Sequence, residues 1–142
     1  MKFRTDFVTN SSSSGFCVLR VDLDDGSHIS WEDEEYGWLF DCTHDKNALE
    51  QIKSIQELLD YLAGCYKNGG CEAEFRGECS DFIKEMKQID DFGAIVSVSI
   101  KYNSESEEGA IEGEFEYDFT NGSFKDEHYE ESFEGDWDEE EE

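Results

Sequence analysis

The chain has 142 residues, with 38 Asp or Glu against 11 Lys or Arg, and its formal net charge at pH 7 is −27. Such a charge disfavours contact with DNA, RNA or anionic membrane, and it favours a basic partner. Hydrophobic residues make up 37% and aromatic residues 14% of the sequence, which is enough for one folded domain and argues against a disordered chain.

Residues 1–14 are predicted to be a flexible Ser-rich segment, because Ser11 to Ser14 belong to a polar low-complexity run. We find no secretory signal, and no apolar stretch approaches the roughly 20 residues of a membrane helix. A cytoplasmic location is therefore expected. The five Cys are an odd number, which fits reduced thiols better than a disulfide framework.

The opening of the chain also carries a resemblance. Residues 1–10 read MKFRTDFVTN, and four serines, Gly15 and Phe16 follow. This opening resembles that of many small uncharacterised proteins of bacteria and their phages, which share an FVTNSSSS start followed by an aromatic residue. The resemblance ends at Phe16, and the chain departs from it at Gly15, where a further Ser often stands. It implies a bacterial or phage origin and no particular activity.

A hairpin is predicted next. Residues 16–23 are rich in Val, Leu and Phe, as strands are, and Asp24-Asp25-Gly26 is a turn signal because Gly tolerates positive φ. A three-residue loop matches apolar with apolar residues across the hairpin, whereas a two-residue loop does not. The preferred register pairs Leu23 with Ser27, Val21 with Ile29, and Leu19 with Trp31. Residues 36–41 are predicted to form a further strand, after an acidic loop.

Two helices are predicted in the middle of the chain. One apolar stripe at helical spacing comprises Ala48, Ile52, Ile55, Leu59, Leu62 and Tyr66. Ser54 and Glu57 have the spacing of a capping box, which places the main helix at residues 55–66, after a short helix or turn at 46–53. A second helix is expected to begin at Ser80 and to direct four residues inward: Phe82, Ile83, Met86 and Ile89.

The last third is predicted to be an antiparallel meander, with a strand at residues 94–102, a loop at 104–109 and a strand at 111–119. In the second of these strands, apolar and acidic residues alternate. The acidic side forms a row of carboxylates, which repeats at roughly 6.6–6.8 Å on a strand: Glu112, Glu114, Glu116 and Asp118. Its spacing resembles that of successive phosphates in a nucleic-acid strand.

A two-residue hairpin turn is predicted at Asn121-Gly122. It would pair Phe119 with Phe124, Asp118 with Lys125, Glu116 with Glu127, and Glu112 with Glu131. Opposed like charges destabilise a hairpin, so their presence argues that the acids serve binding. The alternative is that the last strand ends early and leaves 127–131 in a loop. The predicted partner-binding residues are Glu112, Glu114, Glu116, Asp118, Glu127, Glu130 and Glu131.

The sequence gives only weak evidence for a metal site. The sequence around Gly26 does not match a calcium-binding loop. Aligning Gly26 at the sixth loop position puts Val21 and Leu23 where oxygen ligands are needed. Structural zinc sites prefer Cys pairs two to four residues apart, and no such pair occurs among Cys65, Cys71 and Cys79, although Cys42 and His44 lie upstream. We expect no metal site or cofactor, while metal binding by those three Cys stays open.

Catalytic motifs are missing from the sequence: there is no nucleophile elbow, no Gly-rich phosphate loop and no basic patch. We therefore expect no enzyme. The sequence predicts an α+β fold: a single domain over residues 15–134, with an N-terminal hairpin and strand, two helices and a three-stranded meander. An acidic tail covers 135–142, with Trp137 either anchoring a partner or folded back on the core.

The predicted function is an acidic binding protein that mimics nucleic acid. It would inhibit a basic partner, a nuclease or other nucleic-acid-binding protein, as a phage anti-defence or immunity-type inhibitor does. It would contact neither nucleic acid nor membrane directly. Two alternatives stay open. One is a small accessory protein whose acidity serves only solubility, and the other is a metal-binding domain.

Overall fold

The computed structural model describes residues 14–67, 72–106 and 108–132. The strands are β1 (Ser14–Leu23), β2 (His28–Asp33), β3 (Ile95–Ser106), β4 (Gly109–Asp118) and β5 (Phe124–Ser132). The helices are α1 (Lys46–Glu50), α2 (Ile55–Cys65), α3 (Glu72–Glu78) and α4 (Ser80–Met86), and a 3-10 turn at Phe92–Ala94 leads into β3. The predicted α+β class is confirmed. Parts of the expected 1–14 segment and the whole 135–142 tail lie outside the described residues.

The strands form one antiparallel sheet in the order β2-β1-β3-β4-β5. The N-terminal hairpin is therefore joined directly to the C-terminal meander through β1 and β3. Alternate residues of the sheet are fully buried, among them Leu19, Val21 and Ile100. They belong to one hydrophobic core with buried residues of the helices, such as Leu62 of α2 and Phe82 of α4. The inner face of the sheet is the face that these residues line.

The β1–β2 register is the one the sequence predicts. Leu19 pairs with Trp31 and Val21 with Ile29, and the backbone N–H of Leu23 donates to the carbonyl of Ser27 at 2.9 Å. Gly26 has a φ of 91°, the conformation in which Gly is favoured over other residues.

Residues 36–41 do not form the predicted strand. The backbone turns twice, with Leu39 N–H donating to Tyr36 O at 3.2 Å and Asp41 N–H donating to Trp38 O at 3.1 Å. Leu39 and Phe40 are both buried although they are consecutive, and side chains of a strand would instead point to opposite faces. This segment is a loop that fills the core with two adjacent side chains.

The main helix begins where the capping box predicts, since Ser54 Oγ accepts from the N–H of Glu57 at 3.1 Å. It ends at Cys65, one residue early. Ala48 of the predicted stripe is exposed and Leu49 is buried instead, because α1 is a separate short helix that ends at Glu50, before α2 begins. The α3 helix was not predicted, and α4 begins at Ser80 as expected.

The β4–β5 hairpin has a different register from the predicted one. It pairs Tyr117 with Phe124, Glu116 with Lys125, Glu114 with Glu127, and Glu112 with Tyr129. The turn is longer because the Asp118 carboxylate accepts hydrogen bonds from Thr120 N–H at 2.7 Å and Asn121 N–H at 3.2 Å. The alternative of an early end is also wrong, since β5 runs to Ser132. β3 likewise extends to Ser106, into the predicted loop.

Candidate functional site

The outer face of β4 and β5 carries four carboxylates that we call the acidic face: Glu112, Glu114, Glu116 and Glu127. Glu114 and Glu127 lie directly opposite each other, so a like-charged pair exists even though the predicted pairs do not form. Glu116 and Glu127 are exposed, whereas Glu112 and Glu114 are partly buried. Burial and the neighbouring Glu114 charge raise the pKa of Glu112.

Two lysines lie among these carboxylates. Lys125 Nζ is 3.3 Å from one oxygen of Glu114, and Lys101 Nζ is 4.0 Å from the other. The hydrogen bond to Glu114 raises the pKa of Lys125, so its charged form is favoured. Both pairs are solvent-exposed and therefore weak. Glu114 is thus the least available of the four carboxylates to a partner, and Glu116 and Glu127 are the most available.

The other predicted partner-binding residues are placed differently. Asp118 follows Glu116 on β4, but its carboxylate holds the hairpin loop, and the hydrogen bonds from Thr120 lower its pKa. Glu131 shares the outer face, opposite Ala110, while Glu130 lies opposite Ile111 on the inner side. The Glu130 carboxylate is 3.7 Å from His128 Nε2. The seven predicted residues therefore do not form one continuous surface.

A second cluster was not predicted from the sequence. Cys42, His44 and Cys65 place one potential ligand atom each within 4.8 Å of one another, and we call them the thiol–imidazole cluster. Cys42 and His44 lie in the loop before α1, and Cys65 is the last residue of α2. A backbone hydrogen bond of 2.7 Å from Lys67 N–H to Leu39 O joins the two segments close to the thiols.

Of the Cys weighed from the sequence, Cys65 joins the thiol–imidazole cluster, and Cys79 does not among the described residues. Cys79 is fully buried, its pKa is raised chiefly by burial and then by Cys17, and it belongs to no metal-ligand group among the described residues. Cys71 lies outside the described residues. The available sequence signal was the Cys42-x-His44 pair, but its partner Cys65 is distant in sequence and is brought close only by the fold.

His44 is held in a defined orientation. Its Nδ1 is hydrogen-bonded to the Tyr61 hydroxyl, and its ring stacks on Phe115 with centroids 3.7 Å apart and planes 13° apart. Its backbone N–H donates to the Asp126 carboxylate at 3.2 Å. These contacts direct Nε2 toward Cys42 Sγ, 3.8 Å away.

The two thiols of the cluster differ in acidity. The hydrogen bond from Cys65, helped by His44 and the Lys67 charge, lowers the pKa of Cys42 to about 5. That same hydrogen bond, together with burial, raises the pKa of Cys65 well above its usual range. Burial likewise raises the pKa of Tyr61. These shifts favour the thiolate form at Cys42 and the protonated thiol at Cys65.

Cys42 also reaches a surface cavity of about 400 Å³. The cavity is lined by Asp41, Cys42, Thr43, Lys67, Asp126 and His128. Tyr102 braces its wall, since the Tyr102 hydroxyl donates to Asp41 at 3.0 Å and lies 2.9 Å from His128 Nδ1. The cavity gives small solutes a path to the Cys42 sulfur.

Comparisons of the chain with family models, curated proteins and solved structures found no significant match. Among the described residues, no helix is both long and apolar enough to span a membrane. The resemblance at the start of the chain stays a prediction, because these comparisons found no protein that tests it.

Proposed function

We propose that this chain is a non-enzymatic acidic binding protein that places its acidic face in the basic groove of a nucleic-acid-binding protein. The observation that carries the proposal is the directly opposed pair Glu114 and Glu127 at the centre of the β4–β5 hairpin. Opposed like charges weaken strand pairing, so selection for stability alone would remove them. A basic partner that pairs with both carboxylates relieves that repulsion.

The structure favours a particular contact pattern within this proposal. Glu116 and Glu127 are exposed and would meet the partner's Lys or Arg first. Glu114 would bind the partner after Lys101 and Lys125 move away from it. Both lysines can do so because their ion pairs with Glu114 are exposed and weak. The overall charge of −27 would speed association at low salt, and this effect falls as salt screens it.

The test is a pull-down from a bacterial lysate at low and moderate salt with two charge-matched variants. The test variant replaces all four carboxylates of the acidic face by Gln. The control replaces four exposed acids elsewhere by Gln and so removes the same charge: Glu34, Glu35, Glu74 and Glu85.

A basic nucleic-acid enzyme retained by wild type and control, lost from the test variant and displaced by added DNA or RNA is the expected result. Retention of the same partner by all three proteins, or no specific partner at all, would overturn the proposal.

A second candidate function rests on two exposed aromatic residues. Tyr36 is 47% and Trp38 37% exposed, and their rings meet edge to face with centroids 5.7 Å apart. Exposed aromatics are common anchors in protein interfaces. If acidity serves only solubility, partner binding should be lost in Trp38→Ala and unchanged in the variant of the acidic face. Trp31 is a poorer anchor, because its indole N–H donates to Glu78 O at 3.1 Å and its ring packs against the core.

A further inference from the structure

We propose that Cys42, His44 and Cys65 bind one zinc ion, independently of the acidic face. The three side chains offer two sulfurs and one imidazole nitrogen, a ligand set that zinc prefers. They converge from two segments of the chain, and all three donor atoms lie within 4.8 Å of one another. Thiolate and imidazole donors select zinc over magnesium or calcium, which prefer oxygen.

The geometry needs little adjustment to hold the ion. With Zn–S near 2.3 Å and Zn–N near 2.0–2.1 Å, ligand atoms of a tetrahedral site lie about 3.6–3.8 Å apart. Cys42 Sγ and His44 Nε2 are already 3.8 Å apart, and no pair in the cluster exceeds 4.8 Å. Shifts of about 1 Å or less therefore suffice, and side-chain rotation supplies shifts of this size.

The surroundings of His44 match those of a metal ligand. A zinc-binding histidine usually donates its second ring N–H to an oxygen, which fixes the orientation of the ring. Here Nδ1 faces the Tyr61 hydroxyl, and Phe115 stacks on the ring. Nε2 is thus left to point at Cys42 Sγ, where it would bind the ion.

The cavity beside Cys42 provides a route of entry for the ion. Cys42 forms part of its wall, so an ion arriving from solvent reaches the sulfur directly. Asp41 and Asp126 in the same wall attract a divalent cation, against one positive charge on Lys67, which pairs with Asp41 at 4.0 Å. A Cys42–Cys65 disulfide is the competing use of the thiols, but it would give the oriented His44 no role.

The experiment uses the full chain, reduced, stripped with a chelator and kept free of oxygen. Zinc is titrated against a competing chelator in excess Mg²⁺, which occupies the exposed carboxylates. We expect one tightly bound equivalent for wild type and for the control Cys79→Ala. Cys42→Ser and Cys65→Ser should weaken binding by more than the roughly 10–100-fold typical of losing an outer-shell partner.

X-ray absorption at the zinc edge needs no variant and keeps the test independent of folding defects. Two sulfur neighbours near 2.3 Å and at least one nitrogen near 2.0–2.1 Å would support the site. Coordination by oxygen and nitrogen only would overturn it. A Cys42–Cys65 disulfide that re-forms after reduction while zinc is not retained would also overturn it.

Discussion

The contact between Gly113 and Tyr102 yields a sharp prediction for the substitution Gly113→Ala. The two residues are paired across β3 and β4. A Cβ at position 113 would lie 2.1 Å from both Cζ and Oη of Tyr102, whereas ordinary contacts begin at 3.4 Å. The ring would have to retreat, and it has little room because Tyr102 is only 3% exposed.

The expected loss of stability follows from displacement of the Tyr102 ring. Tyr102 would lose its hydrogen bonds to Asp41 and His128, which are 3.0 and 2.9 Å long. Each such bond contributes about 0.5–1.5 kcal/mol net, and overpacking of a core costs about 1–3 kcal/mol. Gly113→Ala should therefore lower the free energy of unfolding by about 2–6 kcal/mol. It should also loosen the cavity wall beside Cys42.

The assay is urea unfolding followed by Trp fluorescence, in which the midpoint should fall while the slope m stays constant. Gly64→Ala is the matched control, because an added Cβ there meets nothing within 4 Å. It should stabilise α2 by about 0.5–1 kcal/mol. In a double-mutant cycle, Tyr102→Leu should reduce the effect of Gly113→Ala. A Gly113→Ala variant within about 0.5 kcal/mol of wild type, the range of neutral surface changes, would refute the reasoning.

Three further predictions follow from single side chains. Ser54→Ala should lower unfolding free energy by about 0.5–2 kcal/mol through loss of the cap, measured by urea unfolding, and Ser54→Asp should restore most of it. Hydrogen bonds from Thr120 keep the pKa of Asp118 in the folded protein below its ordinary value of 3.8. The contribution of this carboxylate to folding stability is therefore complete above the ordinary pKa, and it is lost as pH falls through the pKa of the folded state. An NMR titration of Asp118 should show this low midpoint, and a midpoint at or above 3.8 would contradict it. Tyr61→Phe removes the hydroxyl on His44 Nδ1 and should weaken zinc binding about 10–100-fold in the chelator competition, where an unchanged affinity would count against the site.

Features of the fold that depend on neighbouring residues could be predicted from the sequence. The β1–β2 register follows from the turn at Gly26 and the apolar alternation on either side of it. The start of α2 follows from Ser54 and Glu57. Residues 36–41 could not be assigned in this way, because Leu39 and Phe40 are both buried in a core that includes residues distant in sequence, such as Phe75. The periodicity of apolar residues along the chain does not reveal such long-range contacts.

In the β4–β5 hairpin, the sheet face of each side chain could be predicted although the pairing of residues across the hairpin could not. Hydrogen bonds to Asp118 lengthen the turn and shift the register by two residues. Because side chains alternate with a period of two, such a shift leaves every side chain on its predicted face. Glu114 and Glu127 therefore share a face as expected, with partners that were not expected.

The thiol–imidazole cluster could not be predicted, for a different reason. Zinc motifs are recognised by close pairs of ligands along the chain, and Cys65 joins Cys42 and His44 only where the end of α2 returns to the loop before α1. The packing of His44 between Tyr61 and Phe115 likewise unites three separate elements. Only tertiary structure contains this signal.

The internal position of β1, between β2 and β3, has a consequence for synthesis of the chain. Val21 pairs with Val98, so β1 has its inner neighbour only after most of the chain has been made. At roughly 5–20 residues per second on the ribosome, that wait is about 4–15 s. During it the apolar side of the early hairpin and one unpaired strand edge stay open, which is the situation that favours aggregation and chaperone binding. Folding of this protein should therefore be a late event, which begins when β3 emerges and pairs with β1, before β4 and β5 complete the sheet.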